Sequence, residues 1–268
     1  MKSAVVVVNW NSGERLKACL ESLPAETSVV VVDNASADDS ITQAETLKPT
    51  FIRNSSNRGF AAAVNQGVAA TSSPYVLLLN PDARVMPGSI QTLERILDEN
   101  PRTGAVGGYV NDRYLPRPLA TPWTVIRENF GYPVRDMDAE EVEQAAAAAL
   151  LVRREAFASA GGFDERFFPA WYEDVDFCRS LRNKGWEIRF SRAAHFIHEG
   201  GYSAKALGSN FVAAYYRNQL RYIRKHFGIL ASALVRLSII GGMSARIVAD
   251  PSHAAACSKV ILGALGGW

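Results

Sequence analysis

Tyr75-Val76-Leu77-Leu78-Leu79-Asn80-Pro81-Asp82 decides how the rest of the chain is read. Val76 to Leu79 is an unbroken apolar run that stops at Asn-Pro-Asp. A short apolar run bounded by turn residues reads as a strand buried on both faces, as in parallel sheets. Pro81 has no N–H for a ladder, so the strand ends there. Asp82 is thereby delivered to the carboxyl edge of the sheet, where open α/β folds bind their ligands. A carboxylate in that position can hold a hard cation, and the cation can hold a phosphate. Taken alone, the same residues would serve equally as a capped turn.

Working outward, the pattern repeats. Ala4–Val8 and Val29–Val32 are apolar, β-branched runs ending in Asn9-Trp10-Asn11-Ser12-Gly13 and Asp33-Asn34-Ala35-Ser36. Phe51-Ile52 predicts a shorter third strand. Leu16, Cys19, Leu20 and Leu23 recur at helical spacing, a helix can start at Asp38, and Phe60–Ala70 reads as another. Strands alternating with helices over short connections predict a doubly wound, mostly parallel sheet with helices on both faces. Downstream, helices are predicted over Ser89–Asn100, from Arg153 to Ala160 and over Glu173–Asn183, with strands over Gly104–Val110, Ala145–Val152 and Trp186–Phe190. Residues 111–140, rich in proline, read as irregular, and His195–Ser203 as a loop.

The composition is ordinary for a soluble globular protein. The chain has 268 residues, 48% hydrophobic and 21% charged, which is room for one large α/β domain with an appendage. Cys19, Cys178 and Cys257 show no metal-type spacing and are odd in number, so a reducing compartment fits better than a disulfide framework. The apolar run at Val5–Val8 is too short for a signal peptide or anchor. The net charge of +2 hides an asymmetry. After Tyr202 the charged residues are Lys205, Arg217, Arg221, Arg224, Lys225, Arg236, Arg246 and Lys259 against the single acid Asp250. A basic tail implies an anionic partner. Asn210–Phe227 predicts a basic amphipathic helix. Ile229–Val248 is apolar but carries Arg236 and Arg246, each costing about 2.5–3.5 kcal/mol at the centre of a membrane span. A helix on a membrane surface, or packed on the protein, fits that stretch better. The expected division is a catalytic domain over residues 1–208, with a nucleotide-binding half (about 1–100) and an acceptor-binding half (101–208), followed by a helical extension over 209–268.

Polar clusters thus end four successive strands or loops: Asn9–Gly13, Asp33–Ser36, Asn57–Phe60 and Asn80–Asp82. Glu173-Asp174 and His198 come later. In combination with Val-Val-Asn-Trp-Asn-Ser (7–12), Val-Val-Asp-Asn-Ala-Ser (31–36), Asn-Arg-Gly-Phe-Ala (57–61), Leu-Leu-Leu-Asn-Pro-Asp (77–82), Gly-Gly-Phe-Asp-Glu (161–165) and Tyr-Glu-Asp-Val-Asp-Phe-Cys (172–178), the sequence resembles family 2 glycosyltransferases of the GT-A fold, in the branch of the bacterial rhamnosyltransferases. The resemblance covers about residues 4 to 227.

The resemblance implies a metal-dependent, inverting glycosyltransferase. Its donor is a nucleoside-diphosphate sugar, dTDP-rhamnose being the best match, and its acceptor a glycan or polyprenyl-diphosphate-linked sugar. It implies nucleotide-sugar binding by Asn9, Asn11, Asp33, Asn57, Gly59, Asn65, Asn80 and Asp82, with Asp33 on the base. It implies a Mn²⁺ or Mg²⁺ ion on Asp82 and His198, with His195 as the competing ligand. The family's usual Asp-x-Asp has Asn80 at its first position here. Asp174 becomes the base that takes the acceptor proton, and Trp171, Tyr172 and Glu173 the acceptor contacts. Asp176 is left to favour the positive end of its helix. No nucleic acid is implied; a homo-oligomer is left open. The expected location is cytoplasmic, with peripheral contact at the inner face of the membrane through the C-terminal helices. The rival classes are a nucleotidyltransferase, which ordinarily needs a glycine- and basic-rich loop after the first strand, and a non-catalytic nucleotide- or sugar-binding protein.

Overall fold

In the computed structural model, which describes every residue except 138, 199–208 and 267, the apolar runs of the first half lie side by side in one sheet. β1 (Ser3–Asn9), β2 (Ser28–Asp33), β3 (Thr50–Arg53) and β4 (Tyr75–Leu79) are mutually parallel in the order β3-β2-β1-β4. Their side chains alternate between two cores. Val6, Val8, Val30, Val32, Val76 and Leu78 pack on the side of α3 (Phe60–Ala69). Val5, Val7, Val31, Leu77 and Leu79 pack on the side of α1 (Glu14–Glu21), α2 (Ser40–Ala44) and α4 (Ser89–Glu99). Burial on both faces is why these strands read as continuous apolar runs. The register sets Asn9 beside Asp33, so the polar strand ends share one edge.

The parallel order stops at β4. β8 (Ala149–Arg153) lies antiparallel to it and also to β6 (Thr103–Tyr109). β9 (Glu187–His198) then runs parallel to β6 and antiparallel to β5 (Ala83–Val85) and β7 (Glu141–Val142). The sheet is therefore mixed, with its parallel half holding the first polar clusters. β9 also runs past Phe190 into the stretch expected as a loop. Its end hides a two-residue period: Ala194, Phe196 and His198 are buried, while His195 and Ile197 are exposed. His198 thus sits across the ladder from Ala83, one residue beyond Asp82.

Residues 111–140 hold one well-formed helix, α5 (Pro122–Asn129). Thr121 caps it by accepting the Thr124 N–H at 3.2 Å, and the Thr124 hydroxyl oxygen accepts the Thr121 N–H at 2.9 Å. Thr-Pro is a cap followed by proline at the first helical position, where a missing N–H costs nothing. α6 (Arg154–Ala160) and α7 (Glu173–Asn183) complete the layer over the sheet.

The C-terminal part is α8 (Ser209–Ala249), broken at Gly228 with φ 84°, and α9 (Ala254–Gly266). Val125 of α5, Tyr222, Ile223, Val235 and Ile239 of α8 and Val260 of α9 form a third core together with Phe167 and Tyr172. Most of the basic residues expected to face an anionic partner are spent inside the protein. Arg217 and Arg221 donate to the carbonyls of Phe168 and Arg166. Arg246 donates to the Tyr216 hydroxyl at 2.9 Å, and Arg236 to the Ala264 carbonyl. Lys225 bridges Asp164 and Asp176, both at 2.8 Å, and His226 Nε2 lies 2.7 Å from Asp176. Asp176 does more than favour a helix end: it is the buried acid that ties α8 to α7. A hydrogen bond to a charged group contributes about 1.5–3 kcal/mol, so this cluster is a clamp on the 164–176 segment. The Arg166 guanidinium beside Asp164 holds its carboxyl well below the usual range.

Candidate active site

A cavity of about 570 Å³ opens at the carboxyl edge of the parallel strands. Trp10, Ser12, Asn34 and Asn57 line it from the ends of β1–β3, Asn80, Asp82 and His198 from the turn after β4 and the end of β9, and Trp171–Asp174 from the start of α7. The neutral segment 145–148, which leads into β8, forms part of its floor.

Asp82 and His198 meet there. His198 Nε2 lies 2.9 Å from Asp82 Oδ1 and 3.2 Å from Asn80 Nδ2, and both side chains of the Asp-His pair are about nine-tenths buried. The two neighbours make opposite demands. An amide N–H needs a lone pair on Nε2, whereas a carboxylate oxygen needs a proton there. A divalent cation taking the lone pairs of both Nε2 and Oδ1 would satisfy the pair, so these residues fit a metal. Among the described residues no group of three or more His, Cys, Asp or Glu side chains could hold an ion. Two protein ligands leave room for phosphate oxygens and water, the pattern in which Mg²⁺ and Mn²⁺ are held on nucleotides. The Nδ1 atom of His198 is buried without a partner. His195, the competing ligand, points to the outer face, with its ring 5.3 Å from that of Tyr109. Gly200 and Gly201, which follow His198 in the sequence and as glycines let backbone approach closely, lie outside the described residues.

Glu173 and Asp174 are neighbours with divergent chemistry. Asp174 accepts the Val175 N–H at 2.8 Å and a long contact from the Ala147 N–H at 3.5 Å. Glu173 is 6% exposed, and its Oε2 has no partner. Burial raises both carboxyls; Glu173 is pushed well above the usual range, by burial first and by the Asp174 charge second. The N–H groups of Val175 and Ala147 offset part of that rise at Asp174.

Several expected ligand contacts lie behind the cavity instead of in it. Asn9 is fully buried, and its amide donates to Asp33 Oδ1 at 2.9 Å, to Ser36 Oγ at 3.0 Å and to Ser40 Oγ at 2.9 Å. The Asp33 carboxylate also accepts the Ser36 hydroxyl at 2.6 Å. Asn9 is thus a clasp between β1 and β2. Asp33 does not line the cavity, although its neighbour Asn34 does. Asn11, at φ 51°, spends its carbonyl on the Ala37 N–H at 2.7 Å. Asn65 brackets Phe163, accepting its N–H and donating to its carbonyl, both at 2.9 Å, which staples α3 to the Gly-Gly-Phe-Asp-Glu turn. Gly59 has φ 85°, and a Cβ there would lie 3.1 Å from the Pro169 carbonyl oxygen. Its work is close approach between two loops, which also positions Asn57 through a 2.8 Å bond from the Gly59 N–H.

On the acceptor side, Trp171 stands edge-on to Phe211 with centroids 4.1 Å apart. The buried Tyr172 hydroxyl accepts from Gln219 at 2.9 Å, so α8 fixes the entrance to α7. The sequence reading missed the far wall: Leu115, Arg117, Pro118, Thr124, Glu128, Val134, Gln144 and Tyr215. The Thr121-Pro122 cap was the available signal for that wall.

Three comparisons show what the chain is similar to. The sequence profile described as "Glycosyl transferase family 2" matches residues 4–159. The N-acetylglucosaminyl-diphospho-decaprenol L-rhamnosyltransferase of Mycobacterium tuberculosis is 27% identical over 90% of this chain and 90% of its own length. A low-salt glycan biosynthesis hexosyltransferase of Haloferax volcanii, Agl10, is 24% identical over 73% of this chain and 66% of its own. Among solved structures, a Pyrobaculum calidifontis mannosyltransferase in complex with GDP-Man and Mn²⁺ superposes with a TM-score of 0.62 at 18% identity, over 98% of this chain and 80% of that one. GalNAc-T7 with UDP, GalNAc and Mn²⁺ gives 0.59 at 16% identity, over 83% and 47%.

Proposed function

Because the chain belongs to glycosyl transferase family 2, whose profile spans more than half of it, we propose that it moves rhamnose from dTDP-rhamnose to a hydroxyl of a sugar carried on a polyprenyl diphosphate, with metal assistance and inversion. The observation that carries this reading is the meeting of Asp82 with His198 in the same cavity as Asp174. The similarity to the mycobacterial rhamnosyltransferase over nearly the whole length of both chains supports the donor and the lipid-linked acceptor.

In this reading Asp174 takes the proton from the acceptor hydroxyl, whose oxygen attacks the anomeric carbon. The bond from that carbon to the diphosphate oxygen breaks, and its electron pair leaves with the nucleoside diphosphate. One displacement from the opposite face inverts the anomeric centre. Asp82 and His198 would hold the Mg²⁺ or Mn²⁺ ion, which supplies Lewis-acid stabilisation of the charge gathering on the diphosphate. Asn80 brings its amide to the same place, 3.2 Å from His198 Nε2, where it can hydrogen-bond the donor. The segment 145–148 brings no competing charge to the site.

A thermal-shift series tests the donor. A ligand that binds only the folded state raises its melting temperature. We expect dTDP-rhamnose with Mn²⁺ to raise it more than UDP-glucose or GDP-mannose with Mn²⁺, and dTDP release to follow when N-acetylglucosaminyl diphosphate on a short prenol is added. Equal shifts from all three donors would remove the choice of dTDP-rhamnose.

The location proposed is the cytoplasmic face of a membrane. α8 carries a segment long and apolar enough to cross a bilayer by length and composition. One side of it is packed into the third core, while Leu230, Leu234 and Leu237, spaced four and three residues apart, are 81%, 59% and 65% exposed. Leu262 and Leu265 of α9 are exposed as well. A half-packed apolar helix supports lying on a lipid surface over crossing it. Replacing the three leucines of α8 by Glu should cut co-sedimentation with phosphatidylglycerol vesicles at least tenfold, since each buried leucine contributes about 1.5–3 kcal/mol. Undiminished vesicle binding would rule this surface out.

A further inference from the structure

The residues that deliver Glu173 and Asp174 to the cavity have an unusual backbone conformation. Trp171 has φ 74° and Tyr172 φ 70°. That left-handed region suits glycine and asparagine. Two successive aromatic residues in it are outliers, because each Cβ crowds its own backbone. Such residues persist only where their surroundings over-determine them, and they gather at functional sites. No residue stands between them and the Glu173-Asp174 pair. The Tyr172 carbonyl also starts α7, accepting the Asp176 N–H at 2.9 Å. The path of the backbone at 171–172 therefore sets where the first residues of α7 point.

One amide sits at the centre of that path. Asn218 of α8 is fully buried, and its Nδ2 donates to the carbonyls of Phe168 at 3.3 Å, Ala170 at 2.8 Å and Trp171 at 3.2 Å. Three carbonyls within four residues can share one NH₂ group only where the backbone curls around it. The Asn218 oxygen accepts from the Arg221 guanidinium at 2.7 Å, which fixes the way the amide faces. The residues on either side of Asn218 act on the same stretch. Arg217 donates to the Phe168 carbonyl, and Gln219 to the Tyr172 hydroxyl at 2.9 Å. From α3, the Phe60 N–H donates to the Pro169 carbonyl at 2.7 Å. Pro169 to Asp174 line the cavity, whereas Asn218 does not. Its effect on chemistry in the cavity has to pass through the backbone it holds.

Resting on the reading above in which Asp174 takes the acceptor proton, we propose that Asn218 is a positioning residue of the reaction: it locks Trp171 and Tyr172 in the left-handed conformation and so aims Asp174 into the cavity. The helical extension is then part of the catalytic apparatus as well as a means of attachment. The donor half of the cavity, built on the ends of β1–β4, does not rest on this amide.

The test is steady-state kinetics and hydrogen exchange on the full chain, with Asn218→Ala, Trp171→Gly and the two combined. Asn218→Ala should lower kcat about 10- to 100-fold, the range that a small misplacement of a reacting group costs, and leave the KM for dTDP-rhamnose unchanged. Amides of residues 168–178 should exchange about tenfold faster in it, while those of β1 keep their protection. Glycine adopts positive φ freely, so Trp171→Gly makes the Asn218 amide less necessary. Trp171→Gly also removes part of the cavity wall and has its own cost, so the comparison is between losses. Asn218→Ala should cost several-fold less in kcat on top of Trp171→Gly than in the wild type. If Asn218→Ala does not fold alone, Trp171→Gly should restore folding. Equal losses in the two backgrounds, an unchanged kcat, unchanged exchange over 168–178, or a combined variant that stays unfolded would overturn the proposal. A wild type that transfers no sugar would instead strike the reaction, with the exchange comparison still deciding whether Asn218 holds the backbone at 171–172.

Discussion

Asp174→Asn is expected to bind dTDP-rhamnose as the wild type does and to transfer sugar about 10²–10⁴-fold more slowly, the range that a positioned general base supplies. The substitution is close to isosteric. It keeps an oxygen to accept the Val175 N–H, so the start of α7 is preserved, and removes only the capacity to take a proton. The pH dependence carries the same assignment. Burial raises the Asp174 carboxyl, and a base works only when deprotonated. Wild-type activity should therefore climb with pH along a limb that lies above the usual aspartate value of about 3.9. Glu173→Gln is the control. Glu173 is pushed further up by its burial and by the neighbouring charge, so it stays protonated where Asp174 is ionised. If Glu173→Gln abolished the limb while Asp174→Asn kept it, the roles of the two carboxyls would be exchanged.

What the chain reveals unaided depends on how local the cause is. β1, β2 and β4 announce themselves because burial on both faces leaves only apolar residues in each run. Their polar ends follow from the parallel register, which needs no knowledge of the second half. The pairing of Asp82 with His198 is different in kind. It depends on β5 pairing with β9, 118 residues separating Asn80 from His198, and on a strand whose alternation is masked by the exposed Arg192 and Ile197. Only the resemblance to a family reached it. Asn9 and Asn65 show a related limit: an asparagine at a strand end or on a helix can face a ligand or staple the backbone of another loop, and composition does not distinguish the two. Asn65 has its partner in Phe163, 98 residues away. Lys225 of α8 finds its acids, Asp164 and Asp176, far back in the chain, so its charge is paired where the sequence shows only an excess. Arg217, Arg221, Arg236 and Arg246 spend hydrogen bonds on carbonyls and a hydroxyl and keep their charge.

Asp82→Asn is expected to lower turnover by about 10³-fold and to abolish its dependence on Mn²⁺, because several kcal/mol of charge stabilisation pass through that carboxylate. The amide retains an oxygen near His198 Nε2, so the loss reports charge and not contact. Asn80→Asp makes the opposite change. It places a second carboxylate beside Nε2, where the amide nitrogen now sits at 3.2 Å, and so restores the two-acid pattern that this chain lacks. That variant should keep measurable activity and reach half-saturation at a lower Mn²⁺ concentration than the wild type. With an ion on the Nε2 lone pair, the amide at position 80 would no longer donate to that nitrogen and would be left to hydrogen-bond the donor, at the cost of one negative charge. A single carboxylate and one histidine would hold an ion loosely without the oxygens of the donor's diphosphate. Metal affinity should accordingly rise on addition of dTDP in the wild type, and rise less in Asn80→Asp, where the protein already supplies the missing charge. Turnover against Mn²⁺ concentration, with and without dTDP, measures both. An Asn80→Asp variant that is inactive beside an Asp82→Asn variant that works would reverse the assignment and make position 80 the one on which the ion depends.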